Sequence, residues 1–179
     1  AWDGFELAVR AILGQQVSVK AATTLAGRLA ERYGEAVAMP ASLQGRGNVT
    51  LGRLFPAPGK LARARFNNLG ITGGRADTIR RLAKAVVDGD IDFDPGQDPA
   101  AFCERLTTLK GIGDWTAEYV AMRALKNPDA FPAADLGLLR AMGEESSGAG
   151  NLRQRAEAWR PWRSYAALLL WGSLPGSGG

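Results

Sequence analysis

The residues with the clearest chemical meaning form one segment, which reads Lys-Gly-Ile-Gly-Asp-Trp-Thr-Ala from position 110 to 117. Its two glycines predict a backbone that takes positive φ angles and comes close to another surface. Because the second glycine leads into a new helix, the backbone N–H groups around residues 111–115 are expected to point outward, where an anion such as a DNA phosphate binds. The segment predicts a helix–hairpin–helix over residues 106–125 that contacts DNA through Lys110, Gly111, Ile112, Gly113 and Thr116.

The hairpin by itself implies DNA contact and not a reaction, because such units occur in polymerases, ligases, nucleases and repair proteins. The alternative is a plain helix–turn–helix connection within a core. If the turn does bind phosphate, its free backbone carbonyls at Thr107, Leu109 and Ile112 are candidate ligands for a monovalent cation, Na⁺ or K⁺, which would add positive charge facing the DNA.

A carboxylate that suits catalysis lies at Asp135, in the stretch Phe-Pro-Ala-Ala-Asp-Leu that starts at residue 131. It follows a break at Pro132 and precedes an apolar stretch. The simplest role for an aspartate there is to cap the helix that follows. Combined with the hairpin, however, it suggests an enzyme that acts on DNA rather than a module that only binds it.

Composition restricts the chemistry further. The 179 residues carry a net charge of +4 and contain one cysteine and no histidine. The missing histidine excludes Ser-His-Asp and Cys-His catalysis and histidine-ligated zinc, and the single cysteine excludes a four-cysteine iron–sulfur cluster and an internal disulfide. Neither a membrane-spanning segment nor a signal peptide is predicted. A basic chain of this kind favours a polyanionic partner and a reducing cytoplasm.

The periodicity of apolar residues predicts an all-α fold. Two packed helical lobes with a cleft between them are expected over residues 1–172, followed by a flexible tail at 173–179. The first residue is Ala1 rather than methionine, so we expect an excerpt of a longer protein. The predicted helices include 75–87, which follows a turn at Gly73-Gly74, and 99–106, 115–125 and 136–142; further helices fall within 152–171, and residues 40–60 are predicted as loops with one short helix.

Four stretches together resemble the helix–hairpin–helix DNA glycosylase superfamily, and within it the AlkA-type 3-methyladenine DNA glycosylases II. They are the hairpin, the segment around Asp135, and the segments at 8–19 (Ala-Val-Arg-Ala-Ile-Leu-Gly-Gln-Gln-Val-Ser-Val) and 159–166 (Trp-Arg-Pro-Trp-Arg-Ser-Tyr-Ala). The likeness covers nearly the whole chain. That family usually carries an additional N-terminal β-rich domain, which this sequence lacks.

The resemblance implies that Asp135 is the catalytic residue. Cleavage of an N-glycosidic bond develops positive charge on the deoxyribose, and a carboxylate beneath the sugar stabilises that charge. Bifunctional relatives carry a lysine where this chain has Trp115, and a tryptophan cannot form a Schiff base. The resemblance therefore implies a monofunctional enzyme that leaves an intact abasic site, with no cofactor required.

The target base must leave the helical stack before it is cut. The family places a gap-filling residue where this chain has Gln15 and Gln16, and many relatives use an apolar residue there. Trp115, Tyr119 and Trp171 are candidates for the base pocket, because electron-rich rings attract a cationic base. Core packing is their alternative role, as it is for Trp159 and Trp162. Candidate phosphate contacts are Arg75, Arg160 and Arg163.

The most favoured function is thus removal of alkylated purines from double-stranded DNA by a monomer that associates with the nucleoid in the cytoplasm. Two alternatives stay open. One is a non-catalytic module that binds damaged DNA, in which Asp135 only caps a helix. The other is a glycosylase for mismatched or oxidised bases, which would share the fold and differ in the shape of its pocket.

Overall fold

The computed structural model describes residues 3–37 and 52–174, and within them it is helical, with a single isolated β-bridge between Ala36 and Arg53. The all-α prediction is therefore confirmed. The helices are α1 (Gly4–Gly14), α2 (Val19–Tyr33), α3 (Pro58–Leu61), α4 (Gly73–Asp88), α5 (Pro99–Thr107), α6 (Asp114–Arg123), α7 (Leu136–Met142), α8 (Gly148–Ala156) and α9 (Arg163–Gly172), with a 3₁₀ turn at Glu157–Trp159 between the last two.

Side-chain caps determine where several of these helices begin. The Asp3 carboxylate accepts a hydrogen bond from the Phe5 N–H at 2.7 Å, and Ser18 and Asp98 cap α2 and α5 in the same way. Each cap satisfies a backbone donor that the first helical turn leaves without a partner. At its other end, α4 stops at Gly89, whose φ of 84° is the left-handed conformation typical of a C-terminal glycine.

Two predicted boundaries are wrong in detail. Gly73 and Gly74 form the first turn of α4 instead of a turn before it, because Thr72 has the extended conformation of an N-cap and the helix starts directly after it. The helix predicted to begin at residue 152 begins at Gly148. Pro161, which has no N–H to donate, separates it from α9. The predicted loop residues 40–51 and the tail residues 175–179 lie outside the described residues.

One continuous hydrophobic core holds the helices together. Helix α1 packs against α2, α4 and α6, and its predicted apolar face, formed by Phe5, Val9, Ile12 and Leu13, is buried. Helices α7, α8 and α9 form a second group that contributes to the same core. In the part of the chain that the structure describes, no helix is long and apolar enough to cross a membrane.

The loop that precedes α7 is fastened to α9 by buried polar contacts. The Ser164 hydroxyl lies 2.7 Å from the carbonyl oxygens of Asn127 and Ala130. The Arg163 guanidinium donates to both carboxylate oxygens of Asp129, at 2.8 and 2.9 Å, and Arg160 pairs with the same carboxylate. Because this loop runs directly into the α7 N-terminus, these contacts determine where that terminus lies.

This arrangement corrects the phosphate contact predicted for Arg163, whereas that of Arg160 stays a prediction. Only 12% of the Arg163 side chain is exposed, against 50% for Arg160, and both guanidinium groups also pair with Glu157. Burial opposes ionisation of Asp129, but the hydrogen bonds and charge of Arg163, together with the charge of Arg160, outweigh it and lower the pKa of Asp129 below its usual value. Both arginines therefore stabilise the loop, and Arg163 does so from within the protein.

Replacing Asp129 with asparagine should test this network through its pH dependence. A lowered pKa in the folded state contributes stability that is present at neutral pH and lost as the pH falls through that pKa. At pH 7 we expect Asp129→Asn to lower the free energy of unfolding by about 1–3 kcal/mol. Below about pH 4 the difference from the parent protein should shrink as the carboxylate of the parent is protonated.

Urea denaturation at a series of pH values measures both effects. Asp77→Asn is the matched control, because it breaks an exposed ion pair with Arg80 and should cost less than about 0.5 kcal/mol. A stability difference for Asp129→Asn that stays constant between pH 7 and pH 3 would contradict the role assigned to the network.

Candidate active site

The hairpin turn lies between α5 and α6, and its two glycines have different conformations. Gly111 has a φ of +101°, and a Cβ atom there would lie 2.0 Å from the Thr78 hydroxyl oxygen of α4. Gly113 has a φ of −103° with extended backbone, and a Cβ atom there would contact nothing within 4 Å. The prediction of a positive φ is therefore right for Gly111 and wrong for Gly113.

The exposed N–H groups of the hairpin are fewer than predicted. The Ile112 N–H donates to the Leu109 carbonyl at 2.9 Å, and the Ile112 side chain is buried. Gly113 is the N-cap of α6, and among the described residues no side chain caps that helix end. The outward-facing donors thus belong to the first turn of α6. The Leu109 carbonyl keeps a second lone pair, so the cation site formed with Thr107 and Ile112 stays a prediction.

The Asp135 carboxylate is held by three donors from three helices. The indole N–H of Trp115 on α6 donates to Oδ2 at 2.9 Å, and that of Trp171 on α9 donates to Oδ1 at 2.8 Å. The backbone N–H of Leu138 donates to Oδ1 at 3.0 Å, so Asp135 is also the N-cap of α7. Three donors around one carboxyl group suit its ionised form, which only accepts hydrogen bonds.

The three aromatic residues predicted for the base pocket do lie together, but in different roles. Trp115 and Tyr119 stack with ring centroids 5.4 Å apart and nearly parallel planes, and Trp171 meets Tyr119 edge-on at 6.4 Å. Trp115 and Tyr119 line a cavity beside Asp135, whereas Trp171 does not line it. Trp171 packs against the core and donates to the carboxylate, and its predicted place in the wall of the base pocket stays a prediction.

Two adjoining cavities meet at Asp135. The larger, of about 880 Å³, is an open cleft between the α1–α2 turn, the hairpin and the segment from Ala134 to Leu136. The smaller, of about 470 Å³, reaches inward to Trp115 and Tyr119. Both volumes fall within the range of small-molecule sites, roughly 300–1,000 Å³. Among the described residues that line them, Asp135 is the only carboxylate and none is a lysine.

The residues predicted to contact DNA separate into exposed and internal groups. Gln16 is exposed at the cleft, and Lys110 is exposed in a neighbouring groove that is also lined by Gln16 and Arg75. The Gln15 amide instead donates to the Gly111 carbonyl and to the Thr116 hydroxyl, both at 3.1 Å. Thr116 is buried, so its predicted contact with DNA is corrected to an internal one.

Several residues at the site were not predicted from the sequence. Thr78 fills the space beneath Gly111, and Val17, Val19 and Ala22 line the inner cavity opposite the aromatic pair. Val19 is 84% exposed, which is unusual for an apolar side chain at the start of a helix. The pairing of Thr78 with Gly111 joins two helices that are distant in the sequence, and local periodicity carries no signal of it.

Residues 9–163 match the family described as "HhH-GPD superfamily base excision DNA repair protein". The chain belongs to this superfamily. The match includes the hairpin, Trp115 and Asp135, and it ends at the first residue of α9, before Trp171. The resemblance recognised from the four sequence segments is thereby confirmed at the level of the superfamily.

Individual relatives agree with this membership. The chain is 42% identical over 174 residues to a "Probable bifunctional transcriptional activator/DNA repair enzyme AlkA" of Mycobacterium tuberculosis, covering 96% of this chain and 34% of that protein. It is 37% identical to "DNA-3-methyladenine glycosylase 2" of Escherichia coli, covering 94% of this chain and 57% of that protein. The chain therefore spans between a third and three fifths of these relatives.

The fold is shared with solved structures of the same superfamily. A 3-methyladenine DNA glycosylase from Archaeoglobus fulgidus superposes with a TM-score of 0.75 at 28% sequence identity, over 96% of this chain and 58% of the other. The expected all-α glycosylase fold is thus confirmed by three-dimensional similarity as well as by the helices themselves.

The two hairpin glycines should respond differently to the addition of one methyl group. In Gly111→Ala the new Cβ meets Thr78 and the residue keeps a positive φ, so we expect a loss of at least about 2 kcal/mol in the free energy of unfolding. In Gly113→Ala nothing obstructs the methyl group. Apart from the cost of replacing an N-cap glycine with alanine, the free energy of unfolding should change by no more than about 0.5 kcal/mol. Thermal and urea denaturation measure both.

A smaller residue beneath the turn supplies the control. Thr78→Ala removes the hydroxyl that a Cβ at position 111 would meet, so the double variant should regain part of the stability that Gly111→Ala loses. Equal losses for the two glycine variants would contradict the different conformations assigned to them.

Proposed function

We propose that this chain is a monofunctional DNA glycosylase that hydrolyses the N-glycosidic bond of alkylated purines, of the 3-methyladenine and 7-methylguanine type, and leaves an abasic site in double-stranded DNA. One observation carries the proposal. A single carboxylate, Asp135, lies where an open cleft meets an aromatic inner cavity, and three hydrogen bonds hold it in place. The names of the relatives, which are DNA-3-methyladenine glycosylases, support it.

Asp135 stabilises the transition state in this mechanism. As the bond between the sugar and the base breaks, positive charge develops on the deoxyribose, and a carboxylate already oriented by Trp115 and Trp171 needs no reorganisation to face that charge. Water then attacks the sugar carbon and completes the hydrolysis. Because both indole N–H groups act as donors, the carboxylate is fixed in position without a positively charged neighbour that would neutralise it.

The inner cavity suits a flipped-out cationic base. Trp115 stacks on Tyr119, and the pair presents π-electron density to the cavity. Arg10 also lines this cavity, but its guanidinium pairs with Glu6 at 2.7 Å, which offsets its charge. An alkylated purine already carries a positive charge and leaves readily, so the reaction needs little acid catalysis and no histidine.

The proposal excludes strand cleavage by a lysine. The cavities around Asp135 are lined by no lysine among the described residues, and Lys110 lines a neighbouring groove that does not include Asp135. The N-terminus of α6 would bind a DNA phosphate through its uncapped N–H groups, in a monomer that acts on duplex DNA.

Replacing Asp135 with asparagine should abolish base excision while DNA affinity stays within roughly tenfold. Asparagine caps a helix as well as aspartate does, so the start of α7 is retained, but the charge that stabilises the sugar is lost. The measurement is the formation of abasic sites in methylated duplex DNA under single-turnover conditions, with affinity determined separately on the same duplex.

Asp88→Asn is the matched control, because it makes the same change in net charge at the far end of α4, where Asp88 pairs with Lys84. It should leave excision unchanged. If Asp135→Asn removes 3-methyladenine at nearly the rate of the parent protein, the carboxylate is only a helix cap. If the parent protein binds methylated DNA without releasing any base, the non-catalytic alternative is correct instead.

Borohydride trapping should distinguish a hydrolase from a lyase. A lyase forms an imine between an amine and the sugar, which borohydride reduces to a stable covalent adduct; Trp115 supplies no such amine. We therefore expect no trapped protein–DNA adduct, and product strands that break only after treatment with alkali or heat. A trapped adduct on the parent chain would overturn the monofunctional assignment, and Lys110→Ala would then show whether Lys110 supplies the amine.

The choice of lesion is tested by comparing substrates. Duplexes that contain 3-methyladenine, 7-methylguanine, 8-oxoguanine or a mismatched pyrimidine should differ in excision rate in favour of the two cationic purines. A preference for the oxidised or mismatched base would retain the glycosylase and replace its substrate.

A further inference from the structure

The Arg75 side chain connects two parts of the site that the proposed mechanism leaves unconnected. It lies in the first turn of α4, and its guanidinium donates a hydrogen bond to the backbone carbonyl of Gln15, in the turn between α1 and α2. This is its one hydrogen bond among the described residues, and none of their carboxylates pairs with it. Asp77, the acidic residue in the same groove, pairs with Arg80.

The chain of contacts continues from Gln15 to the hairpin. The side-chain amide of Gln15 donates to the Gly111 carbonyl and to the Thr116 hydroxyl, each at 3.1 Å. The hairpin is in turn fixed to α4, because the Thr78 hydroxyl donates to the Lys110 carbonyl at 3.2 Å. Three separate elements, the α1–α2 turn, the hairpin and the start of α4, are thus joined in a closed ring of hydrogen bonds.

The residue that this ring holds in place is Gln16. Its φ of +57° lies in the left-handed region, which costs a residue with a side chain roughly 1 kcal/mol or more unless its surroundings impose it. The side chain is exposed and lines the open cleft together with Asp135 and Gly113. Gln16 therefore lies at the edge of the cleft that contains the Asp135 carboxylate, where it is accessible to a bound duplex.

We propose that Arg75 is a positioning residue for base flipping: through the Gln15 carbonyl it holds the α1–α2 turn in the left-handed conformation that presents Gln16 to the DNA, in register with the hairpin. This inference rests on the proposed function. It assigns Arg75 a positioning role in addition to the electrostatic role of a positive charge near a phosphate. Without the hydrogen bond, the turn relaxes toward a negative φ, and Gln16 spends less time where it fills the gap.

Arg81 supplies a matched control within the same groove. It is exposed, carries the same charge and donates to the Lys110 carbonyl at 3.3 Å, but it does not contact the α1–α2 turn. Arg75→Leu and Arg81→Leu therefore remove the same charge and keep a similar apolar stem. Each should weaken binding to undamaged duplex by a similar factor, less than about fivefold.

Single-turnover excision at saturating protein separates the two roles. Arg75→Leu should be slower than the parent chain by at least about tenfold, and Arg81→Leu by less than about twofold, because only the former disturbs the flipped state. Arg75→Lys, which can still donate to the Gln15 carbonyl, should recover to within about threefold of the parent. On DNA whose target base is unpaired, the deficit of Arg75→Leu should shrink, because less energy is needed to flip that base.

A double variant tests whether Arg75 acts through Gln16. If it does, Arg75→Leu combined with Gln16→Ala should be no slower than the slower single variant, since the second change removes nothing further. Losses that multiply, or equal rates for Arg75→Leu and Arg81→Leu, would overturn the inference and leave the glycosylase assignment unaffected.

A fluorescence measurement tests the inference without requiring base excision. The duplex carries a stable abasic analogue with 2-aminopurine opposite it, and the probe brightens or dims when a side chain enters the gap. We expect a change with the parent chain and with Arg81→Leu, and its absence with Gln16→Ala and Arg75→Leu. A change that survives in both of the latter would overturn the positioning role. A normal response from a parent chain that excises nothing would overturn the proposed function and support the inference.

Discussion

The site depends on one arrangement, the capture of the Asp135 carboxylate by donors from α6, α7 and α9. Trp115 and Trp171 contribute their indole N–H groups, and the backbone of Leu138 contributes the third donor. An ionised group this close to the core is tolerated only if its lone pairs are satisfied, and here they are satisfied by neutral donors. These hydrogen bonds orient the carboxylate in advance, which is the condition for stabilising a cation that exists only in the transition state.

The remainder of the structure supports this arrangement from two directions. On one side, the loop before α7 is fastened to α9 through Ser164 and through the ion pairs of Asp129, so that the cap and the two indoles meet. On the other side, the hairpin rests on α4, and the absence of a side chain at Gly111 lets the turn approach Thr78. The same helices that build the core therefore set the distance between the surface that would bind phosphate and the carboxylate.

The observed role of Asp135 as a helix cap is compatible with the catalytic role that we propose for it. A cap uses one oxygen lone pair to fix the start of α7, and Trp171 shares that oxygen. Among the described residues, the second oxygen accepts from Trp115 alone, and Asp135 lines both cavities. Capping places the group, and the cleft gives it access to a substrate. The structural contacts thus serve the chemistry instead of replacing it.

Local sequence signals predicted the parts of the fold that depend on near neighbours. The apolar face of α1, the boundaries of α7, the hairpin between α5 and α6 and the shared helix face of Trp115 and Tyr119 all follow from spacings of one helical turn or from single capping residues. The two glycines at the start of α4 predicted a turn before the helix, but they form its first turn, because a first helical turn tolerates residues that the interior of a helix does not.

The sequence by itself determined that the chain is helical, that it contains a hairpin suited to phosphate, that any acid–base chemistry must rest on carboxylates, lysines or tyrosines, and that it resembles a superfamily of DNA repair proteins. Only the tertiary structure decided which side chains face inward. Arg163 and Thr116, predicted to contact DNA, are engaged within the protein, and Trp171 donates a hydrogen bond to the Asp135 carboxylate. These roles depend on contacts between residues far apart in the chain, and such contacts are set by how helices pack rather than by the order of residues within any one of them.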